Sequence, residues 1–408
     1  MRATENQGSF LNRISIRRNQ VVSMEGNHEQ ELDDLEIFQK HVADRFSNLL
    51  SSSSSSPEES AATAATSSDS LLSIAWLRKL LDTFLCCEAE FKALLIIGRE
   101  PSQVSKPPLD RLVPELLDRV VKALDVCNAV THGVDAVRHC QKLAEIAVSA
   151  LGQRPIGDGQ VRRAKKALNS LIAAMAIEDR DGSAGSKGTE RAWSFGRRGS
   201  SAAGASGSNK DQATAQFRSM WWGMAKGWSA AKQVQAMSAN LVAPRGNESS
   251  GLAHPVYIMS TVVVFVMWAL VAAIPCQERT GLATHFQVPR QLGWAQPIIG
   301  LQDKIAEEWK KKEKKGTAGL LEEMQRLERL GQSLVEFADS FRFPAEAEKL
   351  EEVAAQVAEL AETCRRMEEG LVPLQQQIRE VFHKVVRTRT EVLEVLDQVG
   401  KVSSTPTM

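Results

Sequence analysis

Equipment for covalent chemistry is scarce in this chain. Its 408 residues contain no G-x-x-x-x-G-K-[ST] loop, no G-x-G-x-x-G after a strand and no G-x-S-x-G elbow, so nucleotide binding and serine hydrolysis lack their usual signatures. One Tyr and thirteen Phe are too few for a strand-rich protein, because sheets recruit aromatic and β-branched residues in alternation. Fifty basic and fifty acidic residues cancel, which removes a global field for nucleic acid. The six cysteines, Cys86, Cys87, Cys127, Cys140, Cys276 and Cys364, form no C-x-x-C pair and no compact framework, as expected of reduced thiols in the cytosol. No apolar signal region is expected at the start, and neither a myristoylation nor a prenylation motif.

Long hydrophobic runs are also missing, with one exception. Between Glu248 and Glu278 only His254 can carry a side-chain charge, and the centre of that interval, Val256 to Ile274, is VYIMSTVVVFVMWALVAAI. Nineteen such residues suffice for one helix across a hydrocarbon core of about 30 Å. The segment therefore either crosses a membrane, with Val256 and Ile274 as its ends, or forms the core helix of a large bundle. Ser260 and Thr261 fit both, since a helical hydroxyl can bond back to its own backbone.

What is present is helical periodicity. A basic polar arm occupies residues 1–23. A helical bundle is expected over 25–178, opening with Leu32, Leu35, Phe38, Val42, Phe46 and Leu49 on one face. A serine-rich linker at 51–68 interrupts it. Apolar stripes resume at Leu71 and stop at Gly98 before Pro101, run from Leu109 to Leu151, and return over Gln160 to Ile177 with Asp158 as N-cap. Residues 179–212 are rich in Gly and Ser and read as a disordered linker. An amphipathic Trp-rich helix follows at 213–243; Trp221, Trp222 and Trp228 with Lys226 and Lys232 suit either a membrane interface or packing on the bundle.

From 298 to 400 the heptads are regular. Leu320, Met324, Leu327, Gly331 and Leu334 form one run, Leu350, Val353, Val357, Leu360, Cys364, Met367 and Leu371 a second, and Leu374, Ile378, Val381, Val385, Thr388 and Val392 a third. Gly370 and Pro373 predict a break, with helices 345–369 and 373–399 folded back antiparallel. Self-association through this seam is the rival outcome. The fold expected is all-α: an N-terminal helical bundle, a disordered Gly/Ser linker, a midchain apolar helix of transmembrane length and a C-terminal coiled-coil-like helical hairpin.

Candidate sites are few. Cys127, His132, His139 and Cys140 lie at angles that do not converge on one ion, so no metal is expected, and no other cofactor. Cys86 and Cys87 suit small core fillers, with acylation the sharper alternative. Asn247 opens a glycosylation triplet that requires a lumenal side. Arg197, Arg198 and Gly199 before Ser200 make Ser200 a candidate phosphosite for a kinase that reads basic residues. Catalytic residues are expected to be absent, and the chain is read as no enzyme.

Four blocks carry a family resemblance: GSFLNRISIRRNQVVSMEGNHEQELDDLEIFQKHVADRF, LLSIAWLRKLLDTFLCCEAEFKALL, SKPPLDRLVPELLDRVVKALDVCNAV and RPIGDGQVRRAKKAL. They resemble the plant BYPASS-related proteins and, within that group, the ROH proteins that bind the seventy-kilodalton subunit of the exocyst. The resemblance implies a helical, non-enzymatic plant protein that takes part in exocyst-dependent secretion, such as deposition of cell-wall or seed-coat polysaccharide. Reduced thiols and the membrane-length segment make a cytosolic protein associated with membranes the expectation, a single pass across the membrane being the alternative; the resemblance itself adds no location. It supplies no site residue.

Overall fold

The computed structural model describes residues 10–11, 24–52, 70–96, 104, 106–176, 228–244, 251–276, 282–313, 319–342 and 347–403. Nine α-helices and no strand occur among them. They are α1 (Met24–Ser52), α2 (Ile74–Ile96), α3 (Leu109–Leu151), α4 (Asp158–Ala176), α5 (Ala230–Ala239), α6 (Ala253–Ala273), α7 (Gln296–Glu313), α8 (Glu322–Ser340) and α9 (Ala347–Ser403). The all-α expectation holds. The arm at 1–23 apart from Phe10 and Leu11, most of the serine tract, the 179–212 linker with Ser200, and Trp221, Trp222 and Lys226 lie outside the described residues.

The apolar segment is the axis of the fold. Helix α6 is long and apolar enough to cross a membrane, yet its whole most apolar window is enclosed by protein. Val256 is 1% exposed and Ile274 is fully covered. Helices α1, α2, α3 and α5 pack around it. Phe46 of α1 meets Phe265 edge-on at 5.6 Å, and Cys127 Sγ of α3 lies 3.9 Å from Met267 Sδ. Being apolar on every face is what burial on every side requires. Thr261 bonds back to the Tyr257 carbonyl at 3.0 Å, so its hydroxyl needs no outside partner.

One backbone strap closes the C-terminal end of α6. Helix ends leave carbonyls without intrahelical donors. The Leu320 and Leu321 amides donate to the carbonyls of Ala272 and Ala273 at 3.1 and 3.0 Å, and the Glu322 amide reaches the Leu72 carbonyl at 3.3 Å. On the other flank, α3 passes the same end so closely that a Cβ on Gly133 would sit 2.4 Å from the Pro275 carbonyl oxygen. Only glycine fits that crossing.

The C-terminal region departs from the expected hairpin at 370–373. Helix α9 is continuous from Ala347 to Ser403 with Pro373 inside it. Proline removes one ladder hydrogen bond and costs about 3 kcal/mol in a helix interior. Against this, Met367, Leu371, Leu374 and Ile378 on both sides of Pro373 are at most 1% exposed. Each such burial contributes about 1.5–3 kcal/mol, so the uninterrupted seam wins. Gly370 is not a helix end either: a Cβ there would come 2.7 Å from Ile74 Cγ2, and its absence lets α2 and α9 close together. An antiparallel hairpin does form one joint earlier, between α8 and α9, where Ser333 donates to Gln356 at 3.0 Å.

The heptad seam is filled from within the chain. Its residues from Val353 to Val392 lie against α3 and α2. Arg78 donates to Gln377 at 3.1 Å and Arg138 to Gln375 at 3.1 Å, which sets α9 parallel to α2 and antiparallel to α3. The apolar cluster is consequently continuous from the N-terminal helices through α6 to the tail.

Candidate functional site

Three buried polar groups stand out because the surrounding stripes are apolar. In the first, Glu90 of α2 is fully buried and receives both terminal nitrogens of Arg45 on α1, Nη1 to Oε2 at 3.0 Å and Nη2 to Oε1 at 2.5 Å. His41 Nδ1 lies 3.2 Å from the same carboxylate. Burial alone would lower the Arg45 pKa, but the bonds to Glu90 and the nearby carboxylate charge raise it overall. The guanidinium stays charged. Beside it, burial pushes the Cys87 thiol up to about 12 and raises Cys86 as well. A thiol held protonated is a poor nucleophile. This cluster locks α1 to α2 and has no activated group.

In the second, Glu323 at the start of α8 accepts from the Ile74 amide at 3.0 Å and so caps α2 from another element. Desolvation lifts its carboxyl to about 7, against the opposing pull of the backbone donors and Arg366. The third is Glu88, which takes the Thr388 hydroxyl of α9 and whose pKa burial also raises. Below it runs a narrow apolar slot lined by Phe84, Phe91, Val120, Val263 and Val392. A comparable device holds α5: Arg119 of α3 donates to the Met237 and Asn240 carbonyls at 3.1 and 2.6 Å, satisfying the end of that short helix. Sequence reasoning passed over Arg45, Glu90, Glu323 and Arg119. Charged residues amid apolar stripes, such as Arg45 next to Phe46, were the available signal.

The residues singled out from sequence do not come together. Cys127 and Cys140 are buried on α3 while His132 is exposed. Among the described residues no group of three or more His, Cys, Asp or Glu is placed to hold a metal ion. His254 receives the Trp294 indole hydrogen on Nε2 at 3.1 Å, and burial lowers its pKa, so this imidazole beside the apolar segment is held neutral. Trp228 is half-buried and packed against the core, next to Ser229, whose side chain caps α5 by accepting from the Lys232 amide.

The solvent face of α9 is a further charged feature. In its first half the exposed cation Arg365 is bound on both sides, to Glu362 and to Glu369 at 2.6 Å each. In its second half Arg379 and Lys384 have no ion-pair partner among the described residues, and Gln376, Arg379, Glu380, His383, Lys384 and Arg387 edge a shallow concavity.

A family model described as "Protein ROH1-like" matches residues 1–396. The chain belongs to the ROH1-like family. Among curated proteins it is 60% identical to Protein ROH1A of Arabidopsis thaliana, covering 98% of this chain and 99% of that one. It is 42% identical to Protein ROH1D of the same plant, again over 98% and 99%. The ROH resemblance of the four blocks thus extends over the full alignment, and this is a plant ROH family member. No solved structure matches.

Proposed function

We propose that this ROH1-like protein is a non-enzymatic adaptor that binds the seventy-kilodalton exocyst subunit and modulates exocyst-dependent secretion in plants, including deposition of cell-wall or seed-coat polysaccharide. Family membership supports the reading. The observation that carries it is how the buried polar groups are spent. Arg45, Glu90, Glu323 and Arg119 each serve to fasten one helix to another, which leaves a rigid helical body whose recognition chemistry lies on its surface.

Enclosure of α6 supports a cytosolic fold that reaches membranes through its partner, with α6 as core rather than anchor. Coverage of the heptad seam by α2 and α3 likewise argues against self-association through that seam. Calorimetric titration of the purified full-length protein with the purified exocyst subunit tests the adaptor reading: saturable binding is expected, and absence of heat at about 100 μM of each protein would sink it. Alkaline carbonate tests the rest. Complete extraction from plant membranes is expected; a resistant fraction would mean that α6 spans the bilayer.

A further inference from the structure

The second half of α9 presents a face that the fold itself does not use. At about 100° per residue, Arg379, His383, Val386 and Arg387 lie within about 60° of Val372, while Lys384, about 120° round, stands on the far rim of the concavity. Val372 is 51% exposed and Val386 38%, though the opposite face of the same helix is fully packed. The two valines are fourteen positions apart in the sequence, two heptads on one line, with cations between them.

Charge here is more available than beside Arg365 in the first half of the helix, which is tied to two glutamates. Arg379 has no ion-pair partner among the described residues, whereas the charge of Lys384 acts on the buried Glu88 carboxyl. Glu380 is the sole carboxylate bordering the concavity. Arg387 pairs with Glu391 at 3.0 Å, and Glu391 is shared with Lys92 at 2.5 Å, so even that cation is only partly neutralised.

We infer that the outer face of α9 from Val372 to Arg387 is the docking surface for an acidic amphipathic helix of the partner protein. The inference rests on the adaptor reading and gives it a location. Carboxylates on the incoming helix meet Arg379 and Arg387, and apolar residues two heptads apart cover Val372 and Val386. Complementary charge steers such an encounter and fixes its register, and two covered valines contribute the apolar part. A bilayer is the less suitable occupant. Two separated valines offer too little apolar surface to enter a membrane interface, and the helix is fixed in the bundle by its other side.

The test uses the full-length protein, the purified exocyst subunit and three variants. Arg379→Glu with Arg387→Glu should weaken binding at least tenfold and flatten its salt dependence, with the melting temperature little changed because both side chains are at the surface. Val372→Asp should weaken binding independently. Lys310→Glu with Lys311→Glu, on α7, should bind like the wild type. Binding by the wild type that persists unchanged in the α9 variants overturns this inference and leaves the adaptor reading intact; no binding by the wild type overturns the adaptor reading itself. Loss of sedimentation with phosphatidylserine vesicles in the α9 double variant, with subunit binding unaffected, would assign the face to lipid and also overturn the inference.

Discussion

Helices α6 and α9 are the two elements that sequence periodicity made most conspicuous, and they solve opposite problems. Helix α6 is apolar on all sides and surrounded on all sides; α9 is apolar along one seam and covers α2 and α3 with it. Each looked, in isolation, like a device for meeting something outside the chain, a bilayer in one case and a second coil in the other. Both meet this chain instead. Hydropathy reports how much of a helix must leave water, and the supply of amphipathic neighbours decides what it leaves water for.

The largest break in the comparison is a charge at the centre of α6. Val264→Asp places a carboxylate where exposure is zero, and loss of the cooperative fold is expected, read as insoluble protein or as the absence of a thermal transition. Were α6 outside the folded body, the change would leave that body intact, so a soluble variant with a wild-type melting curve would remove α6 from the core. Next in size is Glu90→Gln. It leaves the Arg45 charge buried without its counter-ion, and urea unfolding should show a loss of about 3–5 kcal/mol.

Glu323 gives a pH signature at the strap that closes the end of α6 and caps α2. Its folded pKa is raised, from 4.5 to about 7, so the folded state holds a proton that the unfolded chain releases. Its contribution to stability is therefore fully present below about pH 4.5 and is lost as pH climbs through about 7, a change on the order of 3 kcal/mol. The difference in unfolding free energy between wild type and Glu323→Gln should follow that curve; a difference independent of pH would refute the burial of the carboxyl. The smallest effects sharpen the seam of α9. Gly370→Ala pushes a methyl against Ile74 and should cost about 1–3 kcal/mol, while Pro373→Ala restores a helical donor and should raise the melting temperature. Reversed signs would mean that α9 bends at 370–373 after all.

Much of the helical architecture was legible in residue patterns. The stripe Leu35, Phe38, Val42, Phe46 and Leu49 is buried as its spacing requires, although Leu32 at its start is 52% exposed. The run from Leu109 to Leu151 and the start at Asp158 match punctuation by Gly, Pro and Asp, while the stop expected at Gly98 before Pro101 lies outside the described residues. What periodicity could not convey was pairing. Nothing local in the heptads names α2 and α3 as their cover, and Pro373 reads as a break until the weight of buried residues on either side is known. The Arg45 and Glu90 pair was illegible for a related reason: the two residues are separated by 45 positions, and each in its own helix looks like an ordinary surface charge. The docking face escaped as well, because the availability of Arg379 emerges only once the pairing of Arg365 is seen.

The parallel course of α9 beside α2 sets a condition on how the molecule is made. Residues that touch there, such as Arg78 and Gln377, are 299 positions apart, so the lid over these helices leaves the ribosome long after they do. Until then the sticky flanks of α2 and α3 have no cover, and a chain cut short before residue 347 should be retained by chaperones or degraded.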